Sequence, residues 1–147
     1  MVKKRTGDPW MPAPKYGASL TGLGINLLVA DVSAAVSFAT DVFGAETVYA
    51  DPDFAVLKLA EMEWMVHADY TYDKHPLVGL IANVEGRGAG AEFRLHGIDP
   101  DKAEANARSQ GYTVLAGALD KPHGLREAYI LDPDGYCWVP DVPLNNA

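Results

Sequence analysis

Histidine, glutamate and arginine side chains are the candidates for chemistry in this sequence. Its 147 residues include four histidines and one cysteine. Imidazole, carboxylate and thiolate groups are the donors that transition metals require, and a histidine or a glutamate is also the usual general base. No Ser-His-Asp spacing, phosphate-binding loop or Cys-His pair is present. The charged and ionisable residues left for a ligand site are His67, Glu92, Arg94 and His96.

Each of these residues also has a structural interpretation. Glu92 and Arg94 lie two residues apart, on one face of a strand, and can form an ion pair. His67 ends an apolar strand and is expected to be a hydrogen-bonded residue at the rim of a ligand site. His96 is expected to face solvent. Three more residues are expected to have structural roles: His123 at the rim, Arg126 tying a turn and Cys137 packed as a small side chain.

Composition excludes several classes of function. There are 12 Lys and Arg residues against 20 Asp and Glu residues, which gives a net charge of −8. An acidic chain repels phosphate backbones and anionic lipids, so we expect neither a nucleic acid nor a membrane surface as partner. A single cysteine allows no intrachain disulfide, and no run of about 20 apolar residues is present. We expect a cytoplasmic protein.

An internal repeat organises the chain. The order strand, Asp, helix, Gly, strand occurs at residues 23–50 and again at residues 90–116. Asp31 and Asp99 begin the two helical stretches, with Ser33 as a plausible N-cap in the first, and Gly44 and Gly111 end them. Each helix is followed by three strand segments, which are predicted at 46–50, 54–60 and 62–68, and at 112–116, 125–131 and 136–140.

The repeat divides the chain into segments. A single domain is predicted over 20–143, with module one at 20–68, a linker at 69–89 and module two at 90–143. The linker holds Tyr70, Tyr72 and His75, which could line a lid. An extended arm at 1–19 precedes the domain, and a tail at 144–147 follows it. The arm is either disordered or docked through Trp10, Met11 and Tyr16 on the body or on a partner subunit.

Two sets of motifs resemble a known family. One is Lys-Pro-His-Gly-Leu-Arg-Glu at 121–127, followed by Asp-Pro-Asp-Gly-Tyr at 132–136. The other is Leu-Leu-Val-Ala-Asp at 27–31 with Phe38, Asp41 and Phe43-Gly44. With the repeat, these resemble the vicinal oxygen chelate (glyoxalase/bleomycin resistance/dioxygenase) superfamily, and in particular its bleomycin-resistance-like branch. The resemblance implies an α+β fold, in which two tandem βαβββ modules form an open curved-sheet barrel around a cup, and a homodimer.

The resemblance also locates the metal positions of the family's enzymes. They correspond to Gly24, Gly90 and Val139, with the fourth position near Trp64, Met65 or Val66. None of these side chains is a metal ligand, so no metal and no other cofactor is expected. A relocated site that uses His67, Glu92 or His96 is the alternative.

Strand alternation indicates which residues face the cup. If Phe93 and Leu95 face the helix, their neighbours face the cup, and the same parity applies to the first and last strands. The predicted ligand-binding residues are Asn26, Leu28, Trp64, His67, Glu92, Arg94, His96, Tyr129 and Val139, and no catalytic residue is predicted.

Three functions are compatible with these features. The first is metal-independent binding of a small organic molecule, as in the antibiotic-sequestering members that the sequence resembles. The second is a lyase, isomerase or dioxygenase with displaced metal ligands, or a metal-free enzyme that uses Glu92 or a histidine as general base. The third is a structural dimer with a vestigial cup. We favour the first.

Overall fold

The computed structural model describes residues 1–145. Asn146 and Ala147, the end of the tail predicted at 144–147, lie outside the described residues. In chain order the helices and strands are α1 (Ala13–Ser19), β1 (Asn26–Val29), α2 (Val32–Phe43), β2 (Glu46–Ala50), β3 (Phe54–Leu59), β4 (Met62–Ala68), a 3₁₀-helix (Asp69–Tyr72), α3 (Val78–Ile81), β5 (Phe93–His96), α4 (Pro100–Ser109), β6 (Thr113–Asp120), β7 (Leu125–Leu131) and β8 (Cys137–Pro143).

The strands form two four-stranded sheets of the same topology. Their orders are β1-β4-β3-β2 and β5-β8-β7-β6. In each sheet the first strand pairs in parallel with the last, and the other neighbours are antiparallel. Two βαβββ modules therefore follow one another, and the predicted α+β class with tandem modules is confirmed. The predicted lengths of two strands of the second module were too short, since β6 continues to Asp120 and β8 to Pro143.

The helix ends agree with the sequence except at one cap. Asp31, and not Ser33, is the N-cap of α2, since its side chain accepts a hydrogen bond from the backbone N–H of Ala34 at 3.3 Å. Gly44 ends α2 in the left-handed conformation with φ 72°, as the C-terminal glycine of a helix does. Asp99 caps α4, and a proline follows it in the first turn.

The helix faces of both sheets share one hydrophobic core. Phe38 and Val42 of α2 are buried in it, and α2 contacts α4. Trp64 of β4 and Trp138 of β8 join the modules, with ring centroids 5.0 Å apart. Each helix packs on its own sheet and the two helices touch, so the faces of the sheets opposite the helices turn away from the shared core. We call these opposite faces the first cup face, in module one, and the second cup face, in module two.

The arm at 1–19 is docked on module one. It was predicted to be extended, but it contains α1, which begins at Ala13 directly after Pro12. Trp10 stacks on Tyr49 of β2, with centroids 5.5 Å apart and planes 17° apart, and Tyr16 packs edge-on against Phe54 of β3. The hypothesis of docking on the body is therefore the one that the structure supports.

The linker at 69–89 is fixed by one arginine. Arg87 donates two hydrogen bonds of 2.8 Å to the carboxylate of Asp69 and one of 3.0 Å to the carbonyl oxygen of Leu28. Such a bidentate pair gives a strong, oriented contact. This pair joins the two ends of the linker, and the bond to Leu28 ties the linker to the edge strand of module one. None of the described helices is long and apolar enough to cross a membrane.

Candidate functional site

The first cup face is formed by alternate residues of three strands. Leu27, Ala55 and Val66 point into the core, so their strand neighbours point outward. Those neighbours are mainly apolar or aromatic, and they include Phe54, Val56, Met65 and His67, with Asn26 and Leu28 on the edge strand.

Aromatic rings of the arm continue this face. Beyond the Trp10–Tyr49 stack, the rings of Trp10 and Tyr16 are 5.5 Å apart. The ring of Tyr16 lies 6.0 Å from that of Phe54, which in turn lies 4.8 Å from the imidazole of His67. Aromatic pairs at these distances attract each other beyond the area that they bury. The arm and the sheet therefore form one aromatic surface.

A buried aspartate anchors the arm. The carboxylate of Asp53 accepts hydrogen bonds from the backbone N–H groups of Lys4 at 2.6 Å and Arg5 at 3.3 Å. It also accepts one from the hydroxyl of Tyr70 at 2.7 Å. Burial by itself raises the pKa of Asp53, but these hydrogen bonds outweigh it and hold the pKa below its usual value. Burial, together with the hydrogen bond to Asp53, raises the pKa of Tyr70 to about 12.

A pocket of about 300 Å³ lies between the arm and the first cup face. Ligand sites for small molecules begin at about this volume, and they combine apolar walls with a few polar groups. The apolar walls are largely aromatic and sulfur-containing, and His67 and Arg5 are among the polar groups. The lining also includes Lys3, Trp10, Tyr16, Asp51, Asp53, Phe54 and Met65.

Hydrogen bonds orient the imidazole of His67. Its Nδ1 lies 2.6 Å from Oδ1 of Asn26, whose amide nitrogen donates to the hydroxyl of Tyr72 at 2.9 Å. In this arrangement Nδ1 carries the proton, which leaves Nε2 as an acceptor. Burial lowers the pKa of His67 and keeps the ring neutral at pH 7. The ring can therefore accept a hydrogen bond from a ligand.

The second cup face is a network of ion pairs. Arg94 of β5 donates to the carboxylates of Glu127, Asp141 at 3.2 Å and Glu92 at 3.1 Å. Glu127 and Asp141 are each 1% exposed, so this guanidinium neutralises charges that water does not reach. The imidazole of His96 lies 2.8 Å from Asp141, and 68% of its side chain is exposed.

Glu127 is the centre of this network. It also accepts a hydrogen bond of 2.8 Å from the hydroxyl of Tyr129, and Nε2 of His123 lies 3.3 Å away. Burial raises the pKa of Glu127, whereas the hydrogen bonds from Tyr129, Arg94 and His123 lower it, and the net pKa lies below the usual value. Glu127 is therefore a buried anion whose hydrogen-bonding capacity is largely used within the chain.

The predicted ligand residues divide into two groups that the structure does not bring together. Asn26 and His67 lie on the first cup face, while Glu92, Arg94, His96 and Tyr129 lie on the second. Within residues 1–145, no hydrogen bond or ring contact joins the side chains of the two faces. Among the described residues, no metal-binding group of three or more side chains combines His67 with Glu92 or His96.

Three of the predicted cup residues offer no surface to a ligand. Trp64 points into the shared core, where it is 5% exposed, because it has the parity of Val66 and not that of His67. Leu28 is 2% exposed beneath the linker contacts to its carbonyl oxygen, and Val139 is fully buried.

Other residues of the two faces were not foreseen. Glu127 and Asp141 share the parity of Tyr129 and Val139, so alternation along β7 and β8 could have found them. Asp53 was not among the predicted residues, and nothing local in the sequence signals that it binds backbone N–H groups 48 and 49 residues away. The structural roles predicted for the Glu92–Arg94 pair and for Arg126 agree with the contacts observed.

The family's metal positions do not fit a divalent metal in this chain. Strand register makes the fourth position His67, since Leu28 pairs with His67 as Arg94 pairs with Val139, four residues after Gly24 and Gly90 respectively. One imidazole then stands with two glycines and a buried valine, and its Nδ1 is bonded to Asn26. Among the described residues, no group of three or more His, Cys, Asp or Glu side chains is arranged to hold a metal ion.

Solved structures share this fold at low sequence identity. A glyoxalase/bleomycin resistance protein/dioxygenase family enzyme from Burkholderia phytofirmans PsJN is 21% identical over 82% of this chain and 96% of its own, with a TM-score of 0.66. TioX from Micromonospora sp. ML1 is 20% identical over 83% of this chain and 95% of its own, with a TM-score of 0.61. The fosfomycin resistance protein FosX of Listeria monocytogenes is 17% identical over 86% and 97%, with a TM-score of 0.60.

Sequence comparison agrees with the fold. No curated protein matches the chain. The family model of the Glyoxalase/Bleomycin resistance protein/Dioxygenase superfamily matches residues 23–139, which include every strand except the last residues of β8. The arm lies outside the match. The chain therefore belongs to the Glyoxalase/Bleomycin resistance protein/Dioxygenase superfamily.

Proposed function

We propose that this protein binds a small, planar organic molecule in the pocket between its arm and the first cup face, without a metal ion. The observation that carries the proposal is this pocket of about 300 Å³, which is lined by Trp10, Tyr16, Phe54 and Met65. Aromatic and thioether side chains contact the faces and edges of planar ligands favourably. The volume suits a molecule of one or two fused rings.

The polar groups of the pocket support binding rather than turnover. His67 is a neutral acceptor that can orient a ligand through one hydrogen bond. The two aspartates of the lining, Asp51 and Asp53, are already occupied by donors of the chain. Stoichiometric binding needs none of these groups to react. Planar antibiotics belong to this ligand class, so the same binding would sequester them.

Binding of 2-naphthol is the direct test. We expect this neutral two-ring probe to raise the unfolding temperature of the full chain, and to bind saturably in calorimetry at one site per chain. Replacement Trp10→Ala removes an aromatic wall of the pocket and should weaken binding at least tenfold, while the hydrogen bonds of Asp53 to Lys4 and Arg5 still hold the arm. Mass analysis of the recovered probe distinguishes binding from a reaction: an unchanged probe supports the proposal, and a modified probe supports the metal-free enzyme.

Leu115→Ala is the matched control. Leu115 is an apolar residue of β6 in module two, 63% exposed and outside the pocket. It should bind 2-naphthol as the unaltered protein does. Equal affinity in the Trp10→Ala variant, or no saturable binding of 2-naphthol to the unaltered chain, would overturn the proposal.

A further inference from the structure

One cationic group of the pocket has a hydrogen-bond donor that the chain does not use. Nε of Arg5 is buried and has no acceptor among the described residues. Its terminal NH1 lies 3.6 Å from Asp53, which is an ionic contact and not a hydrogen bond. A buried donor without a partner costs free energy and is uncommon in folded proteins. Solvent does not reach this Nε, so the terminal nitrogens of the guanidinium are the atoms that an acceptor in the pocket can meet.

The neighbouring carboxylates do not compete for that place. Asp51 accepts from the backbone N–H groups of Asp53 and Phe54 and from the hydroxyl of Tyr49. Asp53 is held by the arm and by Tyr70. Lys3 adds a second cation to the same lining. The donor capacity that remains in the pocket is thus cationic, and it borders an apolar, aromatic space.

We propose that the pocket is selective for an aromatic carboxylic acid, whose carboxylate binds the guanidinium of Arg5 while its ring lies among Trp10, Tyr16 and Phe54. Guanidinium groups bind carboxylates through paired, charge-assisted hydrogen bonds, which are stronger than neutral ones. This inference rests on the proposed function, since it names the class of ligand that the same pocket takes.

The test compares an acid with its neutral isostere. 2-Naphthoate and 2-naphthamide have the same ring system and nearly the same shape, and they differ in charge. Calorimetric titration of the full chain should give at least tenfold tighter binding for 2-naphthoate. In the Arg5→Met variant the two probes should bind about equally, because methionine keeps an unbranched apolar side chain and loses the guanidinium. The backbone N–H that anchors residue 5 to Asp53 is kept in this variant.

Lys15→Met is the matched control for charge. Lys15 is an exposed cation of α1 that does not line the pocket. Its loss removes the same charge from the arm, and the preference for the acid should remain. Near-ultraviolet circular dichroism of the Trp10–Tyr49 stack shows that the arm stays docked in both variants.

The possible results separate this inference from the proposed function. If 2-naphthol and 2-naphthamide bind but 2-naphthoate binds no tighter, the acid selectivity is wrong and the planar pocket stands. If the preference persists in Arg5→Met, another group recognises the acid and the assignment to Arg5 is wrong. If none of the three probes binds, both proposals fail together.

Discussion

The two cup faces occupy equivalent positions in equivalent modules, yet their chemistry is opposite. The first is apolar and aromatic, and the arm covers it. The second is a network of ions around Arg94, part of which is open to water. Two structurally matched pairs show the inversion. Module one places an apolar Leu28 opposite a polar His67, whereas module two places a charged Arg94 opposite an apolar Val139.

The contrast between the two cup faces shows which positions the fold constrains. Helix-face residues of both modules pack into one core, where a polar or a smaller side chain costs several kcal/mol. They are therefore apolar in both modules, as in the pair Trp64 and Trp138. Cup-face residues face away from that core and can differ. In this chain the divergence made one face a pocket wall and the other a self-neutralised polar surface.

Stability should fall most when the positive charge that neutralises the second cup face is removed. Arg94→Leu leaves Glu127 and Asp141 as buried, unpaired carboxylates, which typically costs about 3 kcal/mol. We expect urea denaturation at pH 7.5 to show this loss. At pH 5 the loss should be smaller, because removal of Arg94 raises the pKa of Glu127 and protonation then relieves the repulsion.

Arg126→Leu is the control for this prediction. Arg126 also pairs with two carboxylates, those of Asp101 and Asp120, but both are exposed. Its loss should be clearly smaller than that of Arg94→Leu and nearly independent of pH. Equal losses for the two variants would show that burial of the second-face carboxylates is not what makes Arg94 important.

The next effect concerns the arm that distinguishes the first face. Asp53→Asn replaces one acceptor oxygen by an N–H₂ group, so one of the backbone N–H groups of Lys4 and Arg5 loses its partner. We expect a loss of about 2 kcal/mol in stability and faster trypsin cleavage after Lys3, Lys4 and Arg5. Asp73→Asn, which removes only a half-exposed contact to the amino terminus, should leave both measurements unchanged.

A third, smaller effect on stability is expected for His67, the histidine of the first cup face. His67→Gln breaks the contact with Asn26 and should cost about 1 kcal/mol at pH 8. The pKa of His67 lies below 6.5 in the folded protein, so the unfolded chain binds the proton more tightly. The contribution of His67 is therefore present above pH 6.5 and is lost as the pH falls through its folded pKa. The difference in unfolding free energy between the unaltered chain and His67→Gln should shrink in acid; a difference that grows in acid would contradict a neutral, buried imidazole.

Sequence patterns predicted the modules because those patterns are local. Asp31, Gly44 and Asp99 mark helix ends through contacts within a few residues, and strands alternate with a period of two. The same alternation placed Asn26 and Arg94 on the faces opposite the helices. It was not applied to β4, where Trp64 and His67 have opposite parity and so point to opposite faces of the sheet.

The site itself could not be predicted from these patterns. It depends on where the arm lies, and the contacts that fix it join residues far apart in sequence, such as Tyr16 with Glu63. The single cup expected from both modules also requires their relative orientation. That orientation follows from the shared core, in which Phe43 and Trp138 meet across the modules. Composition left a disordered arm and a docked arm as alternatives.

The smallest predicted change in stability tests whether the buried carboxylates, and not the exposed one, neutralise Arg94 on the second face. Glu92 is the exposed member of its network, with 42% of the side chain accessible and Arg94 3.1 Å away. Exposed pairs contribute little, so Glu92→Gln should change the free energy of unfolding by about 0.5 kcal/mol or less. The buried carboxylates would still neutralise Arg94. A loss as large as that of Arg94→Leu would mean that Glu92, and not Glu127 with Asp141, balances the positive charge of the guanidinium. The second face would then be a surface ion pair, and its residues could change as freely as those of the first face.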